Sequence, residues 1–179
     1  SMLFAAVPLL AKQGMNAALE GPTRQRPVTI LSIWYRLYGS IRYKHLWPWQ
    51  KQWLEPGVRG GIPGGETKDI SMGVALDVEL ARLSGEAMFG ANPDEDKGDD
   101  AVVQEITFNA GQERGAPADF VDARRRFYVA LLRVFKYAEA VGNWWGTQTS
   151  LAQGCALSQV WINVSGNCWC LYVKRKVPG

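Results

Sequence analysis

The sequence predicts an α+β fold, and three observations carry that expectation. Long stretches repeat apolar residues at three- and four-residue steps. Strand-like runs are few and short. The two kinds of segment are mixed along the chain without the regular strand–helix alternation of a parallel α/β sheet.

The first apolar run, Met2 to Ala11, is broken by Pro8 and lacks a basic leader, so it reads as a short buried strand rather than a signal peptide. A polar, Gly-containing stretch from Gln13 to Gln25 leads to Arg26-Pro27-Val28-Thr29-Ile30-Leu31, giving strand, exposed turn and strand. Ile30, Ile33, Trp34, Leu37, Tyr38, Ile41 and His45 then mark an amphipathic helix, with this apolar stripe expected in the core. His45, the only histidine, has no Cys or acid partner nearby in sequence and is given no role.

Glu55 to Glu66 holds five glycines and two prolines and must be a loop. It lacks the Lys-Ser/Thr ending of a nucleoside-triphosphate P-loop, which excludes that motif. Ile70, Val74, Val78 and Ala81 indicate a second helix, Glu86 to Phe89 a short strand, and Ala101 to Phe108 a further helix. Pro117 is placed to open a helix whose stripe runs Phe120, Ala123, Phe127, Leu131, Val134 and Ala138, ending at Gly142. Asn143 to Thr149 suggests a strand and Ala156 to Val173 a last apolar helix.

With 179 residues, 47% of them hydrophobic, the chain can bury a substantial core and is unsuited to disorder. The net charge of +3 does not by itself imply nucleic acid. Arg124, Arg125, Arg126, Arg133 and Lys136 cluster, and read as a solvated helix face or as a template-facing one. Cys155, Cys168 and Cys170 cannot build a disulfide framework, and no further ligand completes a zinc site around Cys168 and Cys170. Reduced thiols and the lack of a leader point to an intracellular protein, in nucleus or cytoplasm and not secreted; no run is long enough to span a membrane.

Acidic residues concentrate in Asp94-Glu95-Asp96-Lys97-Gly98-Asp99-Asp100. Taken alone, this is a solvated acidic loop before a helix. A calcium loop is a weaker alternative: Asp94, Asp96 and Glu105 fit its positions 1, 3 and 12, but Gly98 and Asp99 invert the order it requires. The sharpest motif is Gln153-Gly154-Cys155-Ala156-Leu157-Ser158, preceded by Thr149-Ser150; alone it is a turn before a helix. It resembles the Q-G-x-x-L-S block of reverse transcriptases of the non-LTR retrotransposon and group II intron type. Other blocks follow in that family's order. Val7 to Lys12 resembles the early apolar strand ending in Pro-Lys, and Arg26 to Leu31 the R-P-I-S-L-L strand. Gly57 to Asp69 resembles the Gly- and Arg-bearing loop, and Asp94 to Asp100 the D-x-x-K-x-F-D block.

The resemblance covers nearly the whole chain and implies the fingers and partial palm of a right-hand polymerase. Residues 1–85 would be fingers-like, and 86–179 a partial palm ending before the family's aromatic-x-Asp-Asp block. It implies RNA-directed DNA synthesis, with an RNA template, a DNA primer, deoxynucleoside triphosphates and a two-ion Mg2+ site as partners. Asp94 would be the catalytic residue and metal ligand. Lys12, Arg26, Gln153 and Gly154 would bind the nucleotide, and Arg36 and Arg59 the template. Three departures weigh against activity, the first being that the sequence stops before the aromatic-x-Asp-Asp block. Asp99 stands where the family has an aromatic ring beneath the sugar, and Gly90-Ala91-Asn92-Pro93 would interrupt the strand before Asp94. The chain as given is therefore expected to be inactive, the alternative being a non-catalytic nucleic-acid-binding remnant.

Overall fold

Alternate burial organises the start of the chain. In β1 (Leu3–Leu10), Ala5 and Val7 point into the core while Phe4 is exposed. The computed structural model describes residues 3–10, 25–90 and 98–177. β1 pairs antiparallel with β2 (Arg26–Pro27), Leu9 opposite Pro27 and Leu10 opposite Arg26. The pairing continues beyond β2, because the Val28 N–H donates to the Pro8 carbonyl at 3.1 Å and the Ile30 N–H to Ala6 at 2.8 Å. The expected strand–turn–strand order is thus present, with its turn outside the described residues.

α1 (Ile33–Trp53) starts where the Ser32 hydroxyl accepts from the Tyr35 N–H. The helix is as expected, but its buried face is not. Ile33, Trp34, Leu37, Tyr38 and Ile41 are all exposed, Trp34 at 78%. The inward face instead runs Tyr35, Gly39, Arg42, Leu46, Trp49 and Trp53, also spaced by three and four. Gly39 is buried on this side and faces the last helix, where a Cβ would meet Leu157 at 3.7 Å, an ordinary contact distance. Counting apolar residues favoured the wrong stripe because the packed one contains glycine and arginine.

α2 (Thr67–Ser84) is delimited by its caps. The Glu66 N–H donates to Asp69, and Gly85 ends the helix with φ +72°. The expected residues Ile70, Val74 and Val78 lie on it and are about half exposed. Glu86 to Phe89 forms no strand: Gly85 turns the chain away, and Phe89 is 93% exposed.

α3 (Gly98–Ala101) and α4 (Gln104–Glu113) precede α5 (Ala118–Ala130). The helix expected to run on to Gly142 stops at Ala130. Leu131–Tyr137 is β3, and Ala140–Trp145 is β4. Leu131 and Val134 continue the helical spacing of α5, three apart rather than alternating, but parallel pairing with β1 makes the segment a strand, from Leu3 opposite Leu131 to Pro8 opposite Lys136. β3 and β4 form a hairpin turned at Ala138, whose φ is +50°. The sheet order is β2-β1-β3-β4.

α6 (Ala156–Lys176) closes the core. Trp161 is fully buried, stacked on Phe120 at 5.7 Å and edge-on to Phe108 at 4.8 Å. The loop from Leu54 to Glu66 is fastened to this helix by Glu55 N–H to Asn167 at 2.7 Å and by Gln159 to the Gly60 carbonyl at 3.2 Å. The fold is mixed α+β. Among the described residues no helix is long and apolar enough to cross a membrane.

Candidate functional site

The chain turns sharply just before the Gln153-Gly154 block, and that turn is held from three directions. Ser150 has φ +72°, a left-handed conformation that costs a residue with a side chain about 1–3 kcal/mol. From β3, Arg133 donates through Nη1 to Ser150 Oγ at 3.0 Å and through Nη2 to the Ser150 carbonyl at 3.3 Å. The same hydroxyl donates to Asp100 Oδ1 at 3.0 Å. From α4, the Gln104 side-chain amide donates to the carbonyls of Ser150 at 2.8 Å and Thr149 at 3.0 Å. From α5, the Tyr128 hydroxyl accepts the Ala152 N–H at 3.1 Å. Hydrogen bonds to charged groups contribute about 1.5–3 kcal/mol each, so the Arg133 pair is enough to offset the strained turn.

Arg133 is buried, and its guanidinium lies 5.4 Å from the centre of the Trp145 ring. Burial pulls its pKa below the ordinary arginine value, with Tyr128 and Asp100 acting in the opposite sense. Asp99, half-buried, has its carboxyl raised, first by burial and then by the neighbouring Asp100 charge. The Asp99 carbonyl accepts the Leu151 N–H at 2.9 Å, so the acidic turn and the Ser150 turn are tied backbone to backbone.

Beside this network is a cleft of about 200 Å3, lined by Thr29 after β2, Asp100, Arg133, Thr147, Ser150 and Gln153, with Val7 and Trp145 at its walls. A larger cavity of about 700 Å3 lies against α4 and α5. Its charged groups, Arg125 and Glu105, are already paired at 2.9 Å, so it offers less for a ligand to bind.

Gln153 thus lines the smaller cleft, and Gly154 follows with φ +88°, a conformation that favours glycine. Arg26 is placed in β2 opposite Leu10. Arg36 is exposed on α1 and Arg59 in the 54–66 loop, and neither lines the cleft. Asp94 and Lys12 lie outside the described residues, as does Lys97.

The arginine cluster is not a single solvated face. Arg124 is 2% exposed, bonded to the hydroxyls of Tyr35 and Tyr128 and set over the Phe127 ring. Arg125 joins Glu105, Asp122 and Asn109. Of the four arginines only Arg126 is exposed. Two of them were taken up by the core because aromatic rings and hydroxyls surround them, which spacing along a helix does not reveal. The network residues Arg133, Gln104 and Tyr128 escaped sequence reasoning for the same reason.

Among the described residues no three His, Cys, Asp or Glu side chains converge to hold a metal ion. Among the described residues Asp100 is the acid that lines the cleft, and it is engaged by Ser150. The described residues therefore do not fit a two-ion centre by themselves. Comparison with protein-family models and with curated proteins found no match.

Proposed function

We propose that the chain is the fingers and partial palm of an RNA-directed DNA polymerase of the non-LTR retrotransposon and group II intron type. The observation that carries the reading is one of assembly. Thr29, just after the Arg26-Pro27 strand, and Gln153 of the Gln-Gly block line one cleft although far apart in sequence. The resemblance places these two blocks side by side at the nucleotide pocket, a strand pair on one wall and a glycine-bearing turn on the other. On this reading the cleft takes a deoxynucleoside triphosphate opposite an RNA template at the end of a DNA primer. Gln153 and Gly154 contact the nucleotide, and Lys12 and Arg26 meet its triphosphate. Arg36 and Arg59 belong to the template path.

Mg2+ would be held through Asp94, and its chemistry would be charge neutralisation on the transferred phosphoryl group. The protein would work inside the cell, in nucleus or cytoplasm, where template and nucleotides occur together.

A second reading, a nucleic-acid-binding remnant without catalysis, is favoured by one observation. Asp99 and Asp100 sit together beside the cleft with Asp99 half-buried, where an anionic substrate would meet like charge.

Primer extension on an RNA template with Mg2+ tests the proposal, with this chain beside a version extended through the following reading frame. Incorporation by the longer form that is lost in Asp94→Ala supports the polymerase. Mg2+-independent, salt-sensitive template binding with no incorporation supports the remnant. Neither binding nor incorporation sinks both.

A further inference from the structure

Of all the contacts around the cleft, one buried side chain has a reach that its packing alone does not require. Arg133 spends both terminal nitrogens on a single residue, Ser150, one on the hydroxyl and one on the carbonyl. Ser150 is one of two non-glycine residues with positive φ among those described, and it lies three positions before Gln153. An arginine fork on a strand fixes direction as well as distance, because its donors are coplanar. The strand is itself fixed, paired with β1 on one side and β4 on the other.

We propose that Arg133 is a positioning residue for the cleft: it holds Ser150 in the left-handed conformation and thereby aims Gln153 at the ligand. This deepens the nucleotide-site reading and rests on it for the identity of the ligand. Arg133 lines the cleft, but both of its terminal nitrogens are engaged by Ser150. It acts through the backbone at Ser150, with Gln104 and Tyr128 holding the same turn from the other side.

This mechanism separates two substitutions that remove the same hydroxyl. Ser150→Ala loses the hydroxyl and keeps the penalty for positive φ. Ser150→Gly loses the hydroxyl and adopts positive φ freely, while Arg133 still bonds the carbonyl. A purely structural hydrogen bond predicts equal damage from both. Positioning predicts that only Ser150→Ala moves Gln153.

The test uses the full chain with template–primer and dTTP as the probe. It reads calorimetric affinity together with amide hydrogen exchange of residues 150–154. Expected results are about tenfold weaker dTTP binding and about tenfold faster exchange for Ser150→Ala, with Ser150→Gly within about threefold of the parent. Arg133→Lys keeps the charge without the fork and should behave like Ser150→Ala. Adding Ser150→Gly to Arg133→Lys should restore both readouts. Equal losses in Ser150→Ala and Ser150→Gly, or unchanged exchange in Arg133→Lys, overturn the proposal. If the parent binds no dTTP while the exchange pattern is as expected, positioning of the turn stands and the nucleotide-site reading fails.

Discussion

Arg133 and Ser150 are joined twice, Nη1 to Oγ at 3.0 Å and Nη2 to the carbonyl oxygen at 3.3 Å, across a gap of seventeen residues in sequence. Through that joint the sheet is connected to the turn that precedes Gln153. Asp100 completes it by accepting from the same hydroxyl, so a strand, an acidic turn and a motif meet at one oxygen atom.

Asp99 should make stability depend on pH. Its pKa is raised in the folded chain by burial and by Asp100, so between the ordinary aspartate value and the raised one the folded state binds more protons. Stability then falls as pH rises through that window, and the loss is complete above the raised pKa. Asp99→Asn should match the parent well below the ordinary carboxyl range and exceed it at pH 7, as urea melts at several pH values would reveal.

Tyr128→Phe should cost about 2–4 kcal/mol, because the hydroxyl serves Arg124 and the Ala152 N–H at 3.1 Å each, and Ser158 at 3.3 Å, all buried. Denaturant unfolding checks the magnitude. A loss below about 0.5 kcal/mol would mean that these contacts are replaced at no cost.

Two glycine substitutions should move stability in opposite directions. A Cβ on Gly111 would stand 2.5 Å from Trp161, a ring clamped by Phe108 and Phe120, so Gly111→Ala should cost about 1–3 kcal/mol. Gly73 lies inside α2 with nothing within 4 Å of the new atom, so Gly73→Ala should gain about 0.5–1 kcal/mol. Thermal melts of both variants suffice.

The outward stripe of α1 gives a sharp choice between sequence and structure. Trp34→Gln should change stability by no more than about 0.5 kcal/mol, as expected for a residue 78% exposed. A buried tryptophan would cost about 3–5 kcal/mol on truncation to alanine, so a loss of that order would restore the stripe to the core.

What the sequence revealed follows from the range of its signals. The α+β class, the opening strand pair and the helices α1, α2 and α6 were legible because each rests on local spacing. The face of α1 was not, because Gly39 and Arg42 add nothing to a hydrophobic pattern while packing decides the orientation. β3 was concealed because Leu131 and Val134 continue the three- and four-residue steps of α5, and its partner β1 lies more than a hundred residues earlier. Gln153 and Gly154 stood out as a local motif. Arg133 did not, since its meaning depends on a turn seventeen residues away and on the Trp145 ring above it.

The polymerase reading makes the template choose the nucleotide, and calorimetric binding of dTTP to the chain on a poly(rA)–oligo(dT) duplex measures that choice directly. The account predicts tighter binding of dTTP than of mismatched dGTP, with the preference lost in Gln153→Ala. Equal binding of the two nucleotides, or no binding of the duplex at all, would contradict it.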